Sequence, residues 1–330
     1  MSGIFSKIIS QDSQSLQHLQ SSFSSSQNAQ NAQELSVCAK NRIAIMVDSA
    51  CDIPSAVVEA CNIYVVPLLI NYPNETYRDR VDIMPNEIYA RLPEEIPSTS
   101  TPTPASVLKT LEQIHADGYQ QVIAVTIASA LSNTFNLFRS VAMGFSELET
   151  RVFDSKSLAM GSGLIGIAAA KLVQAGLSFE DILERMGRII DNTRAFFTPE
   201  TLTYLYKGGR LSGASYALGS VLDVRPVISS NAEGALEPLL KAKGRKQSLK
   251  KMLGLAKKRV EGFRHYNIAV VNSNAEAECA KFCTTVCEEL PDFVDLYEEE
   301  ICPVLVTHGG PGLIGIAVQG IDKADEPYLM

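Results

Sequence analysis

The chain has 330 residues, 46% hydrophobic and 20% charged, with 29 Lys and Arg against 37 Asp and Glu for a formal charge of −8. This length and apolar share supply a buried core and point to two domains, while the acidic balance argues against a general nucleic-acid or anionic-lipid binder. No apolar run reaches the roughly eighteen residues of a membrane-spanning helix, and seven cysteines without any Trp fit a soluble, cytoplasmic protein with reduced thiols and no aromatic platform for single-stranded nucleic acid.

Residues 1–40 are dominated by Ser, Gln, Asn and Ala. Such a stretch cannot bury enough apolar surface to offset its ordering entropy, so it reads as a flexible tail. It lacks the basic start and apolar block of a secretory signal, and the Arg of a transit peptide, the first Arg being Arg42. From Asn41 onward, strands are predicted at 42–47, 63–70, 122–127, 151–153, 268–271 and 304–307. Several of these runs lack polar alternation, as strands covered on both faces of a parallel sheet do. Helices are predicted at 54–61, 104–115, 132–143, 161–174, 179–193, 247–260 and 275–290, with Pro54 and Pro104 in first-turn positions. The expected fold is two α/β domains, 41–195 and 196–330, with a largely parallel sheet in the first and a mixed sheet in the second.

Two stretches match the dinucleotide fingerprint G-x-G-x-x-G. That motif needs its first Gly directly after a strand and opening a helix. Gly161, Gly163 and Gly166 are separated from their strand by DSKSLAM, so they read as glycines that let a helix approach a sheet. Gly310, Gly312 and Gly315 run into IGIAV, a returning strand rather than a Rossmann helix. There is no G-x-S-x-G nucleophile elbow and no G-x-x-x-x-G-K-[ST] loop for ATP. Cys279, Cys283 and Cys287 recur every fourth position on one predicted helix. One helix face cannot surround zinc, so they read as small core side chains, and neither metal nor cofactor is expected.

Hydroxyl-rich loops at strand ends remain. Thr99 and Ser100 lie in one (97–102), and Ser129 and Ser132 in another (128–134). Each loop precedes a helix, where hydroxyls and free N–H groups make an anion site; N-capping alone explains one Ser per helix, not two such clusters. His308 stands after a predicted strand in a Gly-rich turn. It is either structural or a functional group, including a general acid/base in a small-molecule enzyme. Arg210, in YLYKGGRL, either presents its guanidinium to a carboxylate or phosphate or belongs to a capped turn with solvated charges. Residues 241–259 carry nine basic side chains and no acid, either a docking face for an acidic or phosphorylated partner or a solvated helix.

Taken in order, VDSACD (47–52), VVPLLI (65–70), TSTP (99–102), ASALSNT (128–134), FDSKSLAMGSG (153–163), YLYKGGRLS (204–212), LGSVLDVRPVI (218–228) and THGGPG (307–312) resemble the DegV family of fatty-acid-binding proteins. The similarity spans about residues 42–320. It implies a DegV-like pair of α/β domains with a long-chain fatty acid between and within them, and no catalytic residue. The family's TS-x-P and SS-x-LSGT loops, which hold the carboxylate, map to Thr99, Ser100, Ser129 and Ser132. The family His before the GPG turn maps to His308, and the Arg of the KGGR turn to Arg210. Some bacterial members present the acid to a separate fatty acid kinase subunit that makes acyl-phosphate for phospholipid metabolism, which fits a chain without a P-loop. The sequence departs from the family pattern at Ala50 (usually Thr), Ala128 (Ser), Asn133 (Gly) and Phe135 (Tyr), and at Lys243, where the basic stretch usually starts with Arg. The lost hydroxyl at Ala128 trims the carboxylate site, and the altered basic stretch bears on kinase docking.

Overall fold

The computed structural model describes residues 42–213 and 224–330. The tail expected at 1–40 and residues 218–223 of the LGSVLD motif lie outside the described residues.

Strand β1 (Ile43–Asp48) is buried along its whole length. Ile43, Ile45 and Val47 join the core between the two large sheets. Ala44 and Met46 join an outer core with Val107, Leu111 and Phe138. Both faces are therefore covered, which is why its sequence shows no polar alternation. It pairs in parallel with β2 (Ile63–Val66) on one side and, beyond a small sheet described below, with β6 (Gln121–Thr126) on the other. β7 (Glu149–Asp154) completes a fully parallel order β2-β1-β6-β7.

The predicted strand 63–70 is broken at Pro67, which cannot donate to a ladder. Its second half becomes β3 (Leu69–Tyr72), which pairs antiparallel with β4 (Glu75–Arg78) and β5 (Ser98–Ser100) in a separate three-stranded sheet. Helices α1 (Ser55–Ala60), α2 (Pro85–Arg91), α3 (Pro104–Ala116) and α4 (Thr134–Met143) fill the crossovers. α3 starts where Thr103 accepts a hydrogen bond from the Ser106 N–H at 3.1 Å, with Pro104 in its first turn, and it buries Val107, Leu111 and Ile114 at helical spacing.

Helix α5 (Met160–Gln174) is the middle layer. Every residue from Met160 to Val173 is buried, as expected for a helix that is apolar nearly all round, its single charge, Lys171, pairing with buried Asp295. Its glycines account for the close approach: a Cβ on Gly163 would lie 2.4 Å from the Cys51 carbonyl oxygen. One on Gly166 would lie 3.1 Å from Val47 Cγ1. The GSGLIG segment is thus a packing surface. Helix α6 (Phe179–Asn192) packs beside α5 and leads directly into β8 (Thr193–Thr198), the first strand of the second large sheet.

That sheet has the order β10-β9-β8-β13-β11-β12, with α7 (Thr203–Lys207) before β9 (Val224–Ser230), then β10 (Leu236–Lys243), β11 (His265–Ser273), β12 (Phe293–Glu300) and β13 (Leu313–Ile321). It is mixed: β11 and β12 run parallel and the other pairs antiparallel. α8 (Arg245–Val260) and α9 (Glu276–Glu289) cover its outer face, where Met252, Cys279 and Cys283 pack with Phe196 and Ile268. The fold is α/β, with a parallel sheet and a mixed sheet on either side of α5. The apolar run 304–307, expected as a strand, lies instead in helix α10 (Pro303–Gly309), all seven residues of which are buried. A short buried run has no periodicity that separates strand from helix, and Pro303 in the first turn sets the helical start. A last turn, α11 (Glu326–Leu329), ends the chain.

Candidate functional site

A cavity of ≈ 560 Å³ opens between the two large sheets, within the roughly 300–1,000 Å³ usual for small-molecule sites. Its walls are mainly apolar, with Leu131 and Met160 from the first half facing Phe197, Val271 and Leu313 from the second. All six residues singled out from the sequence line it: Thr99, Ser100, Ser129, Ser132, Arg210 and His308. Ser100 and Ser129 are exposed, Thr99, Ser132 and Arg210 are half-buried, and His308 is buried, so the polar groups run inward from a solvent-open mouth.

Different elements hold them. Thr99 and Ser100 lie on β5, not in a helix-opening loop, and the N-cap of the following helix is Thr103. Ser100 Oγ accepts a hydrogen bond from Asn71 Nδ2 at 3.1 Å across the small sheet. Ser129 and Ser132 lie in the turn after β6. Asp48 fixes the start of that turn by accepting the Ile127 N–H at 2.7 Å, and the Ala128 N–H donates to the Ser157 carbonyl at 2.8 Å. Ser129 donates both its N–H (3.0 Å) and its hydroxyl (2.5 Å) to Asp154. Ser132 Oγ is 2.8 Å from Thr134 Oγ1, and α4 has no side-chain N-cap. The simple capping reading of this Ser cluster therefore does not describe it.

His308 lies in the last turn of α10, not at a strand end. Two buried carboxylates pin the start of that helix. Asp52 accepts the Cys302 N–H at 2.9 Å and Asp79 the Val304 N–H at 3.1 Å. At the far end His308 Nε2 is 2.8 Å from Thr99 Oγ1, joining the second half of the chain to the first. Its Nδ1 is buried without a hydrogen-bond partner. Gly208 backs the ring, and a Cβ there would fall 2.1 Å from Nδ1, so position 208 requires glycine. Burial, reinforced by the Arg210 charge, pushes the His308 pKa down to about 3, so the imidazole is neutral near pH 7.

A neutral ring carries one N–H. With Nε2 protonated it donates to Thr99 and leaves only a lone pair unmatched at Nδ1. The other tautomer would bury an unpaired N–H. The first arrangement frees the Thr99 hydroxyl proton for a ligand oxygen. Arg210 donates from Nε to the Leu131 carbonyl (3.2 Å) and from Nη1 to the Gly208 carbonyl (2.5 Å). No carboxylate forms an ion pair with it among the described residues. Burial lowers its pKa, yet a guanidinium stays charged, so this cation at an apolar cavity is available to an anion.

Sequence reasoning missed the acids that organise the site. Asp48 and Asp52 are fully buried, and desolvation pushes both up to about 7. Asp79 is raised for the same first cause. The available signal was VDSACD itself: two carboxylates among small residues directly after a wholly apolar strand need buried hydrogen-bond donors. Among the described residues no His, Cys, Asp and Glu group is arranged to hold a metal ion, and no helix is long and apolar enough to cross a membrane.

Residues 42–320 match the family model described as uncharacterised proteins of the DegV family. The chain belongs to the DegV family. A DegV domain-containing protein of Clostridium acetobutylicum is 36% identical over 277 residues, covering 84% of this chain and 98% of that one. Among solved structures, a fatty-acid-binding DegV family protein from Thermus thermophilus superimposes with a TM-score of 0.79 at 27% identity, covering 84% of this chain and 99% of the other. A stearic-acid-binding protein from Eubacterium ventriosum gives 0.76 at 26% identity, over 84% and 97%. These two solved structures are thus described as fatty-acid-binding, and this DegV chain shares their fold.

Proposed function

We propose that this protein binds a long-chain fatty acid in the cavity between its sheets and presents it to a separate kinase for acyl-phosphate formation. In this reading residues 41–195 and 196–330 act as two α/β domains of a cytoplasmic carrier, supported by the change of sheet at β8. The observation that carries it is the convergence of Thr99, Ser100, Ser129, Ser132, Arg210 and His308 on one largely apolar cavity.

A carboxylate at an apolar mouth is costly unless hydrogen-bonded or paired. Hydroxyls, an imidazole-tuned Thr99 and a guanidinium with no carboxylate partner among the described residues meet that need, each charged hydrogen bond contributing about 1.5–3 kcal/mol. The acyl chain adds about 0.8 kcal/mol per buried methylene before the costs of binding. The family members that bind fatty acid and stearic acid support this ligand class. His308 held at about 3 is a weak general base near neutrality, which favours a carrier over an acid/base enzyme. For the kinase, the exposed Lys243, Lys246 and Lys250 offer a basic face to an acidic partner. Neighbouring Arg245 and Lys257 are already paired with Glu278 and Glu289.

Native mass spectrometry of the full chain from a heterologous host is expected to show a co-purified long-chain acid. No such adduct, together with no binding of added palmitate or oleate, would overturn the reading.

A further inference from the structure

A second cavity, of ≈ 740 Å³, lies at the outer face of the six-stranded sheet, between the ends of β7, α6 and α8 and the β9–β10 turn. Its lining carries four cations, Lys156, Arg194, Lys258 and Arg259, against two carboxylates, Asp191 and Glu261. None of the four lines the first cavity. On a protein of net charge −8 this local positive excess runs against the overall balance, and clustered like charge in a concave site focuses an anion.

The two guanidiniums are the informative pair. The Arg194 side chain forms no hydrogen bond or ion pair among the described residues; burial and the charge of Arg259 disfavour its protonated form, and the charge of Glu237 offsets them only in part. Arg259 donates from Nη2 to the Asp191 carbonyl, but its Nε is buried without an acceptor. Two mutually repelling forks with an unused buried donor are stabilised by a multivalent oxyanion placed between them. A phosphate dianion has the charge and the oxygens to engage both, whereas one carboxylate offers two oxygens and one charge. The remaining lining is mixed, with Ser155, Thr193 and Asn231 beside an apolar, partly aromatic part formed by Phe196, Leu255 and Phe263. The apolar part of the wall suits a non-polar group attached to the phosphate better than inorganic phosphate alone. The cleft is also local, without the extended basic track that a polynucleotide needs.

We propose that this cleft is a second ligand site, which binds an organic phosphate monoester through Arg194 and Arg259 with Lys156 and Lys258 at its rim. The ester comes either from a soluble metabolite or from an anionic lipid headgroup.

Calorimetric titration of the full chain with phenyl phosphate is expected to show saturable binding at one site, tighter than inorganic phosphate or benzoate. Arg194→Gln and Arg259→Gln should each weaken it by about tenfold or more, the loss of a charge-assisted hydrogen bond, while palmitate binding stays at the wild-type level. Lys258→Gln, at an exposed position, leaves the core untouched and should weaken phenyl phosphate by about threefold. Absence of saturable binding by either phosphate would overturn the proposal, as would unchanged affinity in all three variants. Co-sedimentation separates the two sources. Binding to phosphatidylcholine vesicles containing phosphatidic acid, reversed by phenyl phosphate, would identify a lipid headgroup. Phenyl phosphate binding without vesicle binding would identify a soluble ester. A failure of palmitate binding would count against the proposed carrier function and leave this site untouched.

Discussion

The two ends of helix α10, a helix of only seven residues, are anchored differently, although burial favours the neutral form of the titratable groups at both. At the N-terminal end, Asp52 and Asp79 accept the backbone N–H groups of Cys302 and Val304, and burial raises the pKa of both. At the C-terminal end His308 sits neutral, with one nitrogen joined to Thr99 and the other unpartnered. The acids belong to positioning: they tie the helix to the turn after β1 and to the small sheet. The imidazole lines the cavity and directs its Nε2 to Thr99, which leaves the Thr99 hydroxyl proton free. One end of the helix is anchored by acids, and the other lines the cavity proposed to take the ligand.

The sharpest way to break this contrast is Asp52→Ala. It buries an unpaired Cys302 N–H and removes the carboxylate 3.4 Å from Arg80. Urea unfolding at neutral pH should show a loss of about 3 kcal/mol. Asp52→Asn, which keeps an acceptor, should lose less than half of that. Equal stability of Asp52→Ala and wild type would show that this end does not anchor the helix.

The pH dependence of stability comes next. Asp48 and Asp52, raised to about 7, keep protons that the unfolded chain releases above about 4. Each therefore removes stability as pH rises from about 4 to 7. His308, lowered to about 3, acts in the opposite sense, removing stability as pH falls from about 6.5 towards 3. Two carboxylates outweigh one imidazole between pH 5 and 7, with Asp79 adding to them in sign. Stability should rise by about 2 kcal/mol on going from pH 7 to 5, and Asp52→Asn should flatten that rise. A monotonic loss over this range would contradict the assignment.

At the binding end, His308→Ala should weaken palmitate by about tenfold while moving the urea midpoint less than Asp52→Ala does. Ser129→Ala should have the smallest effect, about threefold, because the Ser129 hydroxyl proton already goes to Asp154 at 2.5 Å. If Ser129→Ala proved the more damaging of the two, the Ser129 hydroxyl would have to turn from Asp154 to the ligand.

Much of the fold was legible because its elements announce themselves locally. β1 and β6 are unbroken apolar runs, and α3 carries both its cap and its first-turn proline. The run at 304–307 was misassigned because burial on all sides erases the periodicity that tells a helix from a strand. β5 was hidden because Ser98–Ser100 has the composition of a loop and becomes a strand only by pairing with β3. The six cavity residues were visible as types in turn contexts, and the ordered family motifs strengthened them. The carboxylates behind them were not, since an Asp in a turn looks the same whether it caps solvent-exposed backbone or a buried helix.

By itself the sequence determined an acidic α/β chain with two sheets, its DegV-type motifs, and the side chains suited to hold a carboxylate. Only the tertiary structure decided that Thr99 and His308, 209 positions apart, share one hydrogen bond, and that Arg210 reaches the same cavity without a counter-ion among the described residues. It alone set the ionisation of Asp48, Asp52 and His308. The reason is physical: apolar patterning and turn chemistry act between neighbours along the chain, whereas desolvation and partner geometry arise only once distant segments exclude water together.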